Sequence, residues 1–351
     1  MYLMTDPFAA RRYGTDGPLL IFLAIVMPLL QAVAIGGVLA CSMSVQAQTS
    51  RVTSLQQVAP GIYAALGQIS VATPQNRGVV ANQGIIVGED GVILIGTGTS
   101  ARHMTDILAA VRGLTPKPIM LAINTHQNPA FVFGNGTLAL QGVPILAHED
   151  VAALISQRCE KCLQKLNHIL GPEEMEGTRV VVPTRTVDGA MSIDIAGRHL
   201  DILYYGHSSS PGSIAVVDRK SGVLFAGGLA SIGRIPDAKD ARIYAWLVAL
   251  EDFKKRRPSR IVPGEGPISS VAELDNLVDY LNALQEVVEQ TFQAGIGLGS
   301  VAESSQLPQY EHWPLYDNVH DINVEHQYLE VERRILDGEL KGKPEIPPHV
   351  Q

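Results

Sequence analysis

The chain has 351 residues, of which 46% are hydrophobic, 5% aromatic and 18% charged, and its net charge is -8. Such a balance buries a core and excludes a disordered or collagen-like polymer. With no basic run beyond Lys254-Lys255-Arg256-Arg257, nucleic acid is excluded as an expected partner. The length suits one large domain or two modest ones.

The first 47 residues read as an export signal or an N-terminal membrane anchor. Arg11-Arg12 precede an apolar run at 18–41 that ends in small residues. Val45-Gln46-Ala47 offers a cleavage point, the imperfect lipobox VLAC (38–41) could leave Cys41 lipidated, and the uncut run is long enough to span a bilayer. The three outcomes stay open, and membrane contact is expected only through this segment.

A polar linker at about 42–55 leads into strand-like stretches GIYAALG (61–67), NQGIIVG (82–88) and GVILIGTG (91–98), the last two joined by a Gly-Glu-Asp-Gly turn. HMTDILAAVRGL (103–114) has helical periodicity and stops before Pro116; IMLAINTH (119–126) and PILAH (144–148) are strands, and 150–170 is a helix. That helix carries Cys159 and Cys162 in RCEKCL. A plain helical pair, a local disulfide or half a metal site all fit the spacing, but no second CxxC or thioredoxin-like context accompanies it. A second half supplies strands within 186–206, at 213–218 and 222–228, a helix at 243–256 whose cationic last turn suits the helix dipole, a strand at 259–266 and a long amphipathic helix at 271–295. Trp246 and the apolar stripe of 271–294 face a core. Strands and helices alternating in two halves predict an α/β fold, an αββα four-layer sandwich, over 55–298. A C-terminal extension, 299–351, should pack on it, with a helix at about 321–336.

The order GVILIGTG, INTHQNPAFVFGN (123–135), LYYGHSSSPGSIAVVD (203–218), GVLFAGG, IVPGEGP (261–267) resembles the metallo-β-lactamase fold superfamily. From about Val58 to Glu332 it is most similar to the quinoprotein relay system zinc metallohydrolases and their sulfur-oxidation-associated relatives, through ATPQNRGVVANQGIIVGEDGVILIGTG (72–98), LGPEEMEGTRVVVPT (170–184) and LYDNVHDINVEH (315–326). The resemblance implies a dinuclear zinc pocket in which metal-bound water is activated. Yet of the seven ligand positions only His126 keeps its residue. Asn128, Ala130 and Phe131 stand for His, Asp and His; Ser209, Gly228 and Glu265 stand for His, Asp and His. The Asp that ends the early strand falls on Gly96.

Six lost ligands at merely tenfold each amount to about a millionfold in affinity, so the expected cofactor, zinc, should be absent. The chain is therefore expected to be an exported pseudoenzyme. It would be periplasmic or anchored facing the periplasm, in the quinoprotein setting the resemblance implies. In the former cleft it would bind a small molecule or a periplasmic protein partner through His126, Asn128, His207, Ser209 and Glu265. The alternative is a remodelled one-metal hydrolase using His126 and Glu265, the former otherwise a hydrogen-bonded strand-end histidine and the latter a solvated turn residue. The tri-serine 208–210 lacks a nucleophile elbow and reads as loop.

Overall fold

A computed structural model describes residues 53–338; the export or anchor segment and the end of the C-terminal extension lie outside the described residues. Seven strands form the first sheet in chain order: β1 (Leu55–Ala59), β2 (Ile62–Ala65), β3 (Gln83–Val87), β4 (Val92–Ile95), β5 (Ile119–Ile123), β6 (Ile145–His148) and β7 (Arg185–Val187). The first four meander antiparallel. From β4 onward the pairing is parallel, and the connections carry α1 (Ala101–Leu114), α2 (Pro129–Val132), α3 (Asn135–Ala139), α4 (Glu149–Leu170) and α5 (Pro172–Met175).

The second sheet contains β8 (Met191–Ile195), β9 (Arg198–Tyr204), β10 (Ile214–Asp218), β11 (Val223–Ser231) and β12 (Arg260–Glu265), ordered β12-β11-β10-β9-β8. Only β11 and β12 pair parallel, because their connection crosses over through α6 (Ile243–Arg256). Helices α7 (Leu274–Gln293), α8 (Leu298–Ser304) and α9 (Tyr316–Leu336) complete the described chain.

Strand alternation sorts the side chains into layers. Ile86, Ile93 and Ile123 meet Ile202, Val216 and Phe225 between the sheets. Their neighbours Ile85, Leu94 and Ala122 turn the other way onto Met104, Ile107 and Val111 of α1. Leu203, Ala215 and Leu224 turn outward onto Trp246 and Phe253 of α6 and onto α7. The result is the expected αββα sandwich, two sheets packed face to face and each covered by helices.

Three local departures from the sequence reading have physical causes. LQQVA, between the polar linker and GIYAALG, pairs as an unforeseen edge strand β1, its polar side chains tolerated because an edge strand leaves one side to water. The strand expected to reach His126 ends at Ile123, and the chain then turns into a helix. Pro129 starts α2 at its first position and the Asn128 side chain caps it by accepting from Ala130 N at 3.0 Å. The last helix begins at Tyr316, not at about 321, and with Val301 and Leu307 its residues Tyr316, Val324, Tyr328 and Val331 enter the same apolar cluster as α6 and α7. Among the described residues no helix is long and apolar enough to cross a membrane.

Candidate functional site

The C-terminal ends of β5, β11 and β12, the loops after β9 and β11, and one face of α4 enclose a cavity of about 180 Å³. That is below the roughly 300 Å³ at which drug-sized sites begin, so its contents must be small.

His126 leaves β5 and is 8% exposed. Its Nδ1 lies 3.0 Å from Thr125 Oγ1, and its ring packs on Phe131 with centroids 4.1 Å apart. Burial drives its pKa down to about 3, so the imidazole is neutral. Glycines make room for these two rings. A Cβ at Gly228 would fall 2.8 Å from His126 Cδ2, and one at Gly264 would fall 3.1 Å from Phe131 Cζ. An aspartate at 228 is thus incompatible with His126 where it stands. Gly96, at φ +80°, offers the same lesson: a Cβ there would meet Gln83 Oε1 at 2.2 Å. The Gln83 amide fills that space, donating to Ala130 O at 3.1 Å and accepting from Gly98 N at 3.1 Å.

Glu265 ends β12 and is not the solvated turn residue its Gly-rich surroundings imply. Only 13% of its side chain is exposed, and Arg234, itself 6% exposed, holds it at 2.6 Å. Burial pushes the Glu265 pKa above the ordinary carboxylate value and Arg234 opposes that shift. Two further pairs line the cavity, Lys239 with Asp237 and Arg158 with Asp240, the latter at 3.3 Å. Cations therefore sit beside every one of these carboxylates.

The structure brings His126, Asn128, Ser209 and Glu265 to one cavity and leaves His207 out. His207 donates through Nε2 to Asp240 O at 2.6 Å and faces a separate cavity of about 190 Å³ with Arg242, Gln327 and Arg334. The expectation that it joins the cleft is corrected: β9 ends at Tyr204, and the bends over 206–210 send His207 to the α6–α9 side while Ser209 and Ser210 turn back to the cleft. Ser209 donates to Ser213 Oγ at 3.0 Å, and Ser210 to Gln127 Oε1 at 2.9 Å. These hydroxyls close one wall upon each other.

Sequence reasoning missed Arg234, Asp237, Lys239 and Asp240, which sit on a loop with no motif. Their signal is indirect and comes from α9. Asn323 donates to Pro236 O at 2.8 Å and accepts from Ala238 N at 2.7 Å, and Gln327 donates to Ala238 O at 2.7 Å and to Ala241 O at 3.0 Å. Two amides from the C-terminal extension thus hold the loop that walls the cavity.

The cavity lies at the strand ends of an αββα sandwich. The chain matches the model of the Metallo-beta-lactamase superfamily over residues 76–265, more than half its length. It belongs to that superfamily. Solved structures share the fold: a metallo-beta-lactamase from Pontibacter korlensis (19% identical, TM-score 0.54, covering 65% of this chain and 98% of the other) and a metallo beta lactamase from Hirschia baltica (21%, 0.52, covering 65% and 96%). The donors present do not fit the zinc centre the superfamily implies. Among the described residues no three His, Cys, Asp or Glu side chains are grouped to hold a metal, whereas zinc sites use three or four protein ligands.

Proposed function

We propose that this protein is a pseudoenzyme of the superfamily, its metal cleft rebuilt as a small-molecule binding pocket without zinc-dependent hydrolysis. One observation carries the reading: Phe131 packs on His126, the one family ligand kept, while Arg234 takes the carboxylate that stands at the final ligand position. Without a cation, opposed buried carboxylates would cost several kcal/mol each; here each is either replaced by Gly or Ala or matched by a basic side chain. The ion pairs balance one another, and the volume suits a compact polar molecule better than a protein segment. The narrower likeness to the quinoprotein-associated members and the apolar run at 18–41 support an exported protein acting in the periplasm, with residues 1–47 as signal or anchor and 299–351 as an extension bracing the cleft loop.

The test is metal content by elemental mass spectrometry on the full chain, together with ester, thioester and lactam hydrolysis. Zinc far below one ion per chain, and hydrolysis unchanged by His126→Ala, are expected. Two zinc ions per chain with activity abolished by His126→Ala overturn the proposal. A single ion lost in both His126→Ala and Glu265→Gln favours the one-metal hydrolase, which requires Glu265 to leave Arg234.

A further inference from the structure

The Cys159–Cys162 pair belongs to the same cavity, and nothing in the reading above uses it. Both residues line the cavity from α4, Cys159 buried and Cys162 partly open, and both are free thiols. Positions i and i+3 of a helix place their Cα atoms about 5 Å apart, inside the window a disulfide spans. We propose that the cleft binds small disulfides and that Cys162 and Cys159 carry out dithiol–disulfide exchange on them, Cys162 attacking and Cys159 resolving. This rests on the cleft being a ligand pocket.

The chemistry balances without any external oxidant. The Cys162 thiolate attacks one sulfur of R–S–S–R′, forming Cys162–S–S–R and releasing R′–S⁻, which takes a proton. Cys159, once deprotonated, attacks Cys162 Sγ and releases R–S⁻, leaving a Cys159–Cys162 disulfide; the bound disulfide is reduced by two electrons and the pair oxidised by two. A second dithiol reverses the sequence.

The surroundings divide the roles. The neighbouring Cys159 thiol is the main cause that draws the Cys162 pKa down to about 6, burial opposes it, and Lys239 across the cleft and Lys165 on α4 add to it. The same pairing pushes Cys159 up, with its burial and Glu160 acting in the same direction. Asp237, Asp240 and Arg158 also face the cavity, but Asp237 is paired with Lys239 and Asp240 with Arg158. A thiolate that persists near neutrality, beside a buried resolving thiol, is the arrangement exchange needs.

The experiment uses the full chain with Cys41→Ser, so that only the α4 thiols remain, and hydroxyethyl disulfide as probe, read by intact mass and peptide mapping. The pair is expected to lose two hydrogens and close on itself. With Cys159→Ser, or Cys159→Ala should serine impair folding, the reaction should stop at one mixed disulfide on Cys162. Cys162→Ser should form no adduct under the same conditions. Alkylation of Cys162 should be half-maximal near pH 6, moving upward in Lys239→Met, against about 8.5 for an ordinary thiol. Equal adducts on both cysteines, a midpoint near the ordinary value, or thiols that stay reduced overturn the proposal. None of these readouts depends on zinc or hydrolysis, so the pocket can stand if the exchange fails.

Discussion

Phe225 and Phe131 fill similar gaps in two different parts of the molecule. Phe225 lies between the sheets, 1% exposed, where a Cβ at Gly84 would come within 2.3 Å of its Cε1. Phe131 lies at the cleft floor, 2% exposed, between Gly96 and Gly264. Both are large rings set against residues without side chains, as close-packed interiors require. The difference is what each site owes to the fold. Any sandwich must fill the space at Phe225, whereas the space at Phe131 is where the superfamily places a ligand. At that point one ring belongs both to the cavity lining and to an apolar cluster.

Truncating both rings tests the comparison most strongly. Phe225→Ala should cost about 3–5 kcal/mol in denaturant unfolding, the usual loss for a fully enclosed phenylalanine. Phe131→Ala should cost less, about 2–3 kcal/mol, because the adjoining cavity lets water occupy part of the void. A loss below about 1 kcal/mol at Phe131 would show that its ring is not part of the core.

The charged counterpart comes next. Arg234→Met leaves Glu265 buried without its cation and should cost about 3 kcal/mol. Adding Glu265→Gln should recover most of that loss, since removing both charges removes the penalty as well as the attraction. The sign with pH follows from the raised Glu265 pKa. The folded state holds that proton more tightly than the unfolded chain, so the loss in Arg234→Met should be small in acid and grow as pH rises through the folded value. A single variant as stable as the parent at neutral pH would remove Arg234 from the role of charge partner.

The scaffold was legible from the chain because alternating pairs such as Ile85-Ile86, Ile93-Leu94 and Leu224-Phe225 serve two cores at once, and that period survives in any one sequence. The cleft was legible at the positions where a ligand motif has a known spacing: His126, Asn128, Ser209 and Glu265 do share a cavity. It was not legible where geometry depends on a turn. Only Ser208 separates His207 from Ser209, yet the intervening bend sends them to different cavities. Arg234 and Lys239 had no motif at all; their position depends on Asn323 and Gln327, distant in sequence, holding the loop from α9.

The smallest expected effect concerns His126 and needs acid to appear. Burial holds its folded pKa at about 3, whereas in the unfolded chain it titrates near 6.5. The folded value is the lower one, so between those limits the unfolded chain binds the extra proton and stability falls as pH drops. At pH 5 this single group accounts for about 2 kcal/mol of lost stability. His126→Gln should therefore shrink the difference in unfolding free energy between pH 7 and pH 5 by about that amount, whatever it costs in packing at both pH values. His103, held to about 4 by burial on α1, contributes a loss of the same sign in parent and variant alike, so the acid limb should shrink without vanishing. An unchanged difference between the two pH values would mean that His126 is already solvated enough to take a proton, and the floor of the cleft would then be wet where Phe131 and the glycines are expected to keep it dry.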